Sequence, residues 1–133
     1  MTLNKKTYRS GPFKDFIAQG TQVGNVLYMA GQVGINDDGT VPANISEQTA
    51  IAYANMKDVL SQFGANMNSI VDETFFVTDM NALMDNLESV YGERESAYGV
   101  KPDVSQTVVQ VVALVQPELK IEIKCIAHLE HEI

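Results

Sequence analysis

The sequence is poor in basic residues, with nine lysines and arginines against 17 aspartates and glutamates in 133 residues, a formal net charge of −8. This deficit argues against a nucleic-acid-binding protein, because such proteins concentrate Lys and Arg to displace counterions. It argues equally against binding to an anionic membrane surface. No apolar run approaches 18 residues, so the sequence predicts no membrane-spanning helix. We found no apolar segment of a secretory signal near the first residue either, and we therefore expect a cytoplasmic protein.

Several chemical motifs are also missing. The single cysteine, Cys125, excludes an intrachain disulfide and is more typical of a small buried core residue than of a nucleophile. His128 and His131 point to opposite faces of an extended chain, which makes them poor partners for one metal ion. The sequence holds neither a phosphate-binding P-loop nor a G-x-S-x-G nucleophile motif. We therefore expect no metal and no cofactor.

The hydrophobic periodicity predicts five strands and two helices in one domain, residues 1–133. Asn44 is expected to begin the first helix and Gly64 to follow its end, whereas Asp79 or Asn81 caps a second helix that extends as far as Tyr98. Gly24 is expected to form a tight turn between the first two strands. The predicted strands cover residues 16–23, 26–33, 70–78, 104–115 and 119–129.

This ββαβαββ order is typical of an α+β fold, a mixed sheet with two helices on one face. The strand 104–115 is apolar on both faces, but two helices cover only one face of a sheet. We infer that another subunit covers the second face, so the protein is an oligomer with sheets at its interface. The alternative is a twisted sheet that shields itself.

Glu122 is the most interesting carboxylate of the last strand, where it is flanked by Ile121 and Ile123 and shares a face with Lys120 and Lys124. One interpretation is a cross-strand ion pair on a solvated face. The other is a carboxylate at a cleft, able to hold or activate a water molecule.

Several segments, in order, resemble the YjgF/RidA family, the reactive intermediate deaminases. They are residues 24–35, 38–40, 76–79, 109–114 and 121–127, together with Gln48 and the helix end at Gly64 and Ala65. The resemblance extends over nearly the whole chain from about residue 16. It implies a chorismate-mutase-like fold and a homotrimer whose sheets form a central barrel, with three ligand clefts between subunits.

The resemblance also implies a chemistry, the hydrolysis of 2-imino and enamine acids to 2-keto acids and ammonia. Glu122 matches a family glutamate that helps to position water. The family arginine that binds the substrate carboxylate falls on Gln106, which offers neither a charge nor a rigid fork of donors. The chain has only two arginines, Arg9 and Arg94. Activity on ordinary 2-imino acids is therefore not expected to follow from the resemblance.

Other cleft positions of the family carry over to residues that vary in their chemistry. Ala30 stands where a serine is frequent, and Gly31 keeps the backbone approachable to a ligand. A first-strand aromatic position falls on Phe16 or Ile17. The remaining two positions fall on Thr107, beside Gln106, and on Asn86 or Glu88 in the second helix.

Three functions are compatible with these residues. The first is a homotrimer that binds a small metabolite between subunits and hydrolyses an imine or enamine with Glu122 as the catalytic residue. The second is a trimer that binds a ligand in the same cleft without catalysis. The third is an endoribonuclease, as family members are often labelled, although three chains of −8 give a trimer of −24 that repels RNA.

Overall fold

Seven strands within residues 3–130, the range that the computed structural model describes, form one mixed sheet. Their spatial order is β1-β2-β3-β7-β5-β6, with β4 also paired to β7; β5 and β6 run parallel and every other pair is antiparallel. The strands are β1 Lys6–Tyr8, β2 Gly20–Val23, β3 Val26–Met29, β4 Gln32–Val33, β5 Ile70–Val77, β6 Ser105–Gln110 and β7 Ile121–His128.

The first helix, α1, covers Ile45–Ser61 and begins where the sequence predicts. The Asn44 side chain accepts hydrogen bonds from the backbone N–H groups of Ser46 and Glu47, which satisfies two of the free donors of the first turn. Gly64 lies just beyond the end with a φ of 69°, in the left-handed region that suits glycine at a helix terminus. A single turn of 3-10 helix, Met67–Ser69, then leads into β5.

The predicted second helix is two helices, α2 at Met80–Asp85 and α3 at Leu87–Tyr98, joined at Asn86. Asp79 is the cap of α2, accepting hydrogen bonds from the N–H groups of Asn81 and Ala82. Met84 and Leu87, on either side of the break at Asn86, are both exposed. Gly99, with a φ of 76°, ends α3.

The strands near the N-terminus are shorter than predicted. Residues 13–17 form turns in which the N–H groups of Phe16 and Ile17 both donate to the carbonyl of Phe13, and the strand begins only at Gly20. The predicted strand 26–33 is interrupted at residues 30–31, where the chain bulges away from β7. Five residues from Tyr28 to Gln32 there oppose four on β7, from Ile126 to Ile123, the signature of a bulge.

The predicted strand 104–115 ends at Gln110 because β5, the strand with which it pairs, ends there too. Gln110 lies opposite Val77, the last residue of β5, and one further hydrogen bond joins the N–H of Val111 to the carbonyl of Val77. Residues 111–118 therefore have no strand to pair with and form a loop in which Val112 is fully exposed. The apolar residues of this segment therefore belong to an exposed loop and not to a continuing strand.

The helices cover one face of the sheet, and this confirms the predicted α+β class. On β7, the side chains of Ile121, Ile123, Cys125 and Ala127 are fully buried beneath the helix layer, whereas the residues between them face the other side. That open face carries Tyr28 at 50% exposure and Val109 at 37%. Within the described residues, no helix is long and apolar enough to cross a membrane.

Candidate functional site

A cleft of about 510 Å³ opens between the N-terminal segment, β4 and the outer side of α1. Glu122 reaches it from β7, where it lies opposite Val33 of β4 and Phe76 of β5. The lining residues are Tyr8, Ser10, Gly11, Pro12, Phe13, Ile17, Gln19, Gly31, Gln32, Val33, Ile35, Asp37, Asn55, Asp58, Val59, Val115 and Glu122.

The bulge at residues 30–31 makes room for the Glu122 side chain. A Cβ atom added to Gly31 would lie 2.6 Å from Cδ of Glu122 and 2.7 Å from its Oε2, far inside normal contact distance. Only glycine therefore permits the carboxyl group to rest against the backbone at this point. Bulges are common beside functional sites because they redirect a strand locally, and here the bulge brings a carboxylate and a bare peptide together.

The amide side chains around this bulge form a fixed frame. Gln32 donates to the side-chain oxygen of Gln19 at 2.9 Å and to the carbonyl of Ala30 at 3.1 Å. Asn55 of α1 donates to the carbonyls of Val33 and Ile35. These bonds tie the bulge to the N-terminal segment and the end of β4 to the helix, so the wall of the cleft is held by partners on three elements.

The charge of the cleft is negative. Burial raises the pKa of Glu122, and the neighbouring Lys124 ammonium opposes that shift in part. Lys124 itself donates to the carbonyl of Met29 at 2.8 Å, which holds the cation next to the site without placing it in the lining. Asp37 and Asp58 add two further carboxylates, and no Lys, Arg or His is among the described lining residues.

The structure brings three of the predicted site residues together in this cleft: Glu122, Gly31 and Ile17. Ala30 adjoins them, half-buried, with its N–H donating to the carbonyl of Gln19. Phe16, the alternative to Ile17, is 81% exposed and outside the lining.

The other predicted residues lie elsewhere in the chain. Gln106 of β6 is beneath the helix layer, and Thr107 points to the open face, where it is exposed. Glu88 is exposed in the first turn of α3, whereas Asn86 donates to the carbonyl of Ala82 at the break between the two helices. Within one chain, none of these four residues lines the cleft that holds Glu122.

Gln106 belongs instead to a cluster that the sequence reasoning missed, centred on the fully buried side chain of Glu73 in β5. Gln106 and Arg94 donate to Oε1 of Glu73 at 2.7 and 2.5 Å. Tyr98 donates to Oε2 at 2.8 Å, and the Tyr53 hydroxyl lies 3.1 Å from both oxygens. We name this group of Tyr53, Glu73, Tyr91, Arg94, Tyr98 and Gln106 the Glu73 cluster.

The electrostatics of the Glu73 cluster follow from its burial. Desolvation, with the nearby Glu73 charge, raises the pKa of Tyr53 and Tyr98, so both stay protonated as hydrogen-bond donors. Burial alone would lower the pKa of Arg94, but its hydrogen bond to Glu73 and the charge of that carboxylate outweigh burial and raise it. The acid and the guanidinium therefore form an ion pair with no net charge.

One sequence signal could have revealed this cluster. Glu73 occupies the same face of β5 as Phe75 and Val77, a core position by the period of two. A carboxylate at such a position needs a cation or several donors. Only Arg9 and Arg94 could supply a guanidinium, and Arg94 lies in the predicted helix that crosses this strand.

Cys125 lies in the core, consistent with the sequence interpretation. Its thiol is 3.3 Å from the sulfur of Met29, and burial raises its pKa to about 12, so the reactive thiolate is scarcely populated near neutral pH. His128 lies at the end of β7, and His131 falls outside the described residues. The described residues hold no group of three or more His, Cys, Asp or Glu side chains suited to a metal ion.

Comparison with known proteins places this arrangement in a family. Residues 9–129 match the family model described as endoribonuclease L-PSP. A RutC family protein of Pyrococcus abyssi is 31% identical over 122 residues, which span 90% of this chain and 88% of that protein. The 2-iminobutanoate/2-iminopropanoate deaminase of Escherichia coli K12 is 29% identical over 121 residues, spanning 88% of this chain and 87% of the enzyme.

A solved structure of a related protein has the same fold. The crystal structure of Escherichia coli TdcF with bound serine superposes with a TM-score of 0.76 at 25% identity, covering 93% of each chain. The family model spans most of the sequence, and the relatives match it over nearly their full length. The chain belongs to the YjgF/RidA family, whose family model bears the description endoribonuclease L-PSP.

Proposed function

We propose that the protein is a homotrimer that binds a small metabolite in clefts between its subunits and hydrolyses a carbon–nitrogen double bond there, with Glu122 as the catalytic residue. The observation that carries this proposal is the half-buried Glu122 carboxyl against the bare backbone of Gly31 in a cleft of about 510 Å³. A carboxylate with a raised pKa at such a place suits general base work on a bound water molecule.

The open face of the sheet supports the trimer. Tyr28 and Val109 are exposed there, and Phe76 and Ile126 are only half-buried between them. Apolar side chains grouped on an exposed sheet favour burial against another subunit. A second copy of the same chain is the partner that the family resemblance implies. Such packing also brings β6, which holds Gln106 and Thr107, toward a neighbouring chain, and we assign these residues to the far side of the cleft.

The proposed reaction needs only water and one base. Glu122 orients a water molecule and accepts a proton from it as the oxygen bonds to the imine carbon. The C=N π electrons move to nitrogen, which takes that proton from Glu122 and gives a carbinolamine. Glu122 then accepts the hydroxyl proton as the carbonyl forms and the C–N bond breaks, and it passes this second proton to the departing ammonia or amine. The balance is imine plus water to carbonyl plus amine, with no redox change and no cofactor.

The named relatives support a small ligand with a nitrogen centre. The Escherichia coli relative is named as a deaminase of 2-iminobutanoate and 2-iminopropanoate, and TdcF was solved with serine. Gln106 stands where the resemblance places the arginine for the substrate carboxylate. We therefore propose the bond type for this protein and not those particular acids. The lone thiol, Cys125, suits a reducing compartment, and we propose the cytoplasm.

A ligand-binding trimer without catalysis is the second candidate, and the fate of Gln106 favours it. Both polar atoms of that side chain are hydrogen-bonded inside the chain, to Glu73 and Tyr91, and the side chain supplies no charge to hold or polarise a substrate. The ribonuclease activity that the family description suggests is opposed by the negative charge of the trimer. A trimer of −24 repels the phosphate backbone at physiological salt.

The test compares the wild type with Glu122→Gln on a panel of imines and enamines generated in solution, with the carbonyl product measured. The matched control is Glu95→Gln, which removes the same charge from an exposed position on α3. We expect Glu122→Gln to lose at least tenfold in rate and the control to keep the wild-type rate. Equal rates in the two variants would contradict a catalytic Glu122, and a monomer in light scattering would contradict the intersubunit cleft.

The other candidate functions have separate outcomes. A ligand that binds the wild type in calorimetry, loses affinity in Glu122→Gln and is never turned over would favour the non-catalytic trimer. RNA cleavage that survives repurification and is lost in Glu122→Gln, but not in Glu95→Gln, would favour the ribonuclease.

A further inference from the structure

Both polar atoms of the Gln106 side chain are hydrogen-bonded within its own chain. Its Nε2 donates to Glu73 at 2.7 Å, and its Oε1 accepts from the Tyr91 hydroxyl at 2.5 Å. Turning the amide toward a ligand would break both bonds and leave Glu73, a buried carboxylate, with one donor fewer. Gln106 is therefore held in the Glu73 cluster and is not free to turn its amide toward a ligand.

Arg94 is the guanidinium of the Glu73 cluster, and the carboxylate of Glu73 balances its charge. Its Nε donates to Glu73, and its guanidinium carbon lies 5.9 and 5.6 Å from the ring centroids of Tyr91 and Tyr98. Only 12% of its side chain is exposed. Nη1 has no hydrogen-bond partner among the described residues, and because no buried polar atom there lacks a partner, this nitrogen is in contact with solvent.

We propose that Glu73 is the specificity-determining positioning residue of the cleft: by holding Arg94 and Gln106 in a neutral cluster, it favours ligands with a neutral or protonated nitrogen and no carboxylate. This inference rests on the proposed function, because the Glu73 cluster and Glu122 share a cleft only across a subunit boundary.

The half of the cleft visible within one chain agrees with this selectivity. Its charged lining groups are Glu122, Asp37 and Asp58, and its described lining residues include no cation. Of the two sides of the proposed cleft, one is therefore neutral and the other acidic. An anionic ligand meets repulsion and finds only a guanidinium whose charge Glu73 balances, whereas an amine or iminium is attracted.

The experiment compares three ketones of similar size that differ in charge: pyruvate as the anion, pyruvamide as the neutral form and aminoacetone as the cation. Binding to the wild-type protein is measured by calorimetry or NMR titration at fixed ionic strength. We expect pyruvamide and aminoacetone to bind at least tenfold more tightly than pyruvate. Pyruvate that binds as tightly as the other two, or more tightly, would overturn the inference.

Two variants connect the selectivity to Glu73. Glu73→Gln keeps the size of the side chain but releases the charge of Arg94, so we expect the ratio of pyruvate to pyruvamide affinity to rise at least fivefold. The double variant Glu73→Gln/Arg94→Gln restores the wild-type net charge and should restore the wild-type ratio. A purely structural role for Glu73 would weaken both ligands alike and leave the ratio unchanged.

Gln106→Arg keeps the inference testable if Glu73→Gln does not fold. It adds a cation to the Glu73 cluster and should raise the ratio of pyruvate to pyruvamide affinity roughly tenfold. Gln62→Arg adds the same charge at the distant end of α1 and should leave that ratio unchanged. An unchanged ratio in Gln106→Arg, or an equal rise in Gln62→Arg, would overturn the inference.

The proposed function fails in a different way. If none of the three ketones binds, or if Glu122→Gln binds all three as the wild type does, the cleft is not the ligand site, and the inference falls with it. If all three bind with equal affinity and Glu122→Gln weakens them, the proposed site stands and the charge selectivity alone is wrong.

Discussion

Removing the cation from the Glu73 cluster should destabilise the protein sharply. In Arg94→Met, the Glu73 carboxylate remains fully buried with three neutral donors, Tyr53, Tyr98 and Gln106, and no counter-ion. Breaking a buried ion pair in this way costs about 3–5 kcal/mol, and the remaining donors place the expected loss near the lower end, at about 3 kcal/mol. Methionine preserves an unbranched stem and a good helix propensity, so the loss reports on the charge.

The assay is urea or thermal unfolding at one protein concentration, since subunit association would otherwise change the apparent stability. With about 4 °C of midpoint shift per kcal/mol for a chain of this size, we expect a fall of about 12 °C. Glu73→Gln, which leaves Arg94 free to turn its outer edge to water, should lose less, about 1–2 kcal/mol.

The double variant Glu73→Gln/Arg94→Met decides whether the loss comes from the pair. With no buried charge left, it should lose at least about 1 kcal/mol less than the sum of the two single losses. The reasoning is refuted if Arg94→Met costs under about 1 kcal/mol, or if the two losses add.

Three further predictions concern the core and the cleft. Gln48→Leu should cost about 2–4 kcal/mol in denaturant unfolding, because this fully buried amide holds two carbonyls and one N–H on two loops, and exposed Gln62→Leu should cost little. Gly31→Ala should displace the Glu122 carboxyl and cut imine hydrolysis at least tenfold, with under about 1 kcal/mol of lost stability. The reaction rate should rise with pH as Glu122 ionises, at a midpoint above the ordinary pKa of 4.5 because burial raises it. Lys124→Met removes the opposing cation and should move that midpoint to higher pH; a midpoint that stays or falls would contradict a role for this pair.

The helices could be predicted best because their signals are local. Asn44 marks the start of α1 and Gly64 follows its end, through side-chain and backbone geometry that needs no distant partner. Asp79 marks the start of α2 in the same way. The lengths of the strands depend on their neighbours. The apolar alternation continues beyond Gln110, but β5 ends at Val77, opposite Gln110, so the residues that follow have no strand to pair with. Sequence periodicity alone holds no information on where a neighbouring strand stops.

The candidate site was predictable only in part for a similar reason. Glu122 stands out in the alternation of β7, whereas Gly31 came from the family resemblance alone, and its contact with the Glu122 carboxyl is visible only in the structure. That Ile17 and not Phe16 enters the cleft depends on how residues 13–17 turn, a detail set by hydrogen bonds to Phe13. The Glu73 cluster joins one strand residue to groups from two helices and a parallel strand, so no single segment contains its pattern.

The Glu73 cluster also changes what a restored arginine at position 106 would do. The Nε2 of Gln106 is 2.7 Å from Oε1 of Glu73, so a guanidinium placed there would first meet that carboxylate and compete with Arg94 for it. Two cations would then share one buried acid, and only part of the new charge would face a ligand. The gain in carboxylate affinity should therefore be larger in Gln106→Arg/Glu73→Gln than in Gln106→Arg alone. Equal gains in the two variants would mean that Glu73 does not control the charge at this wall.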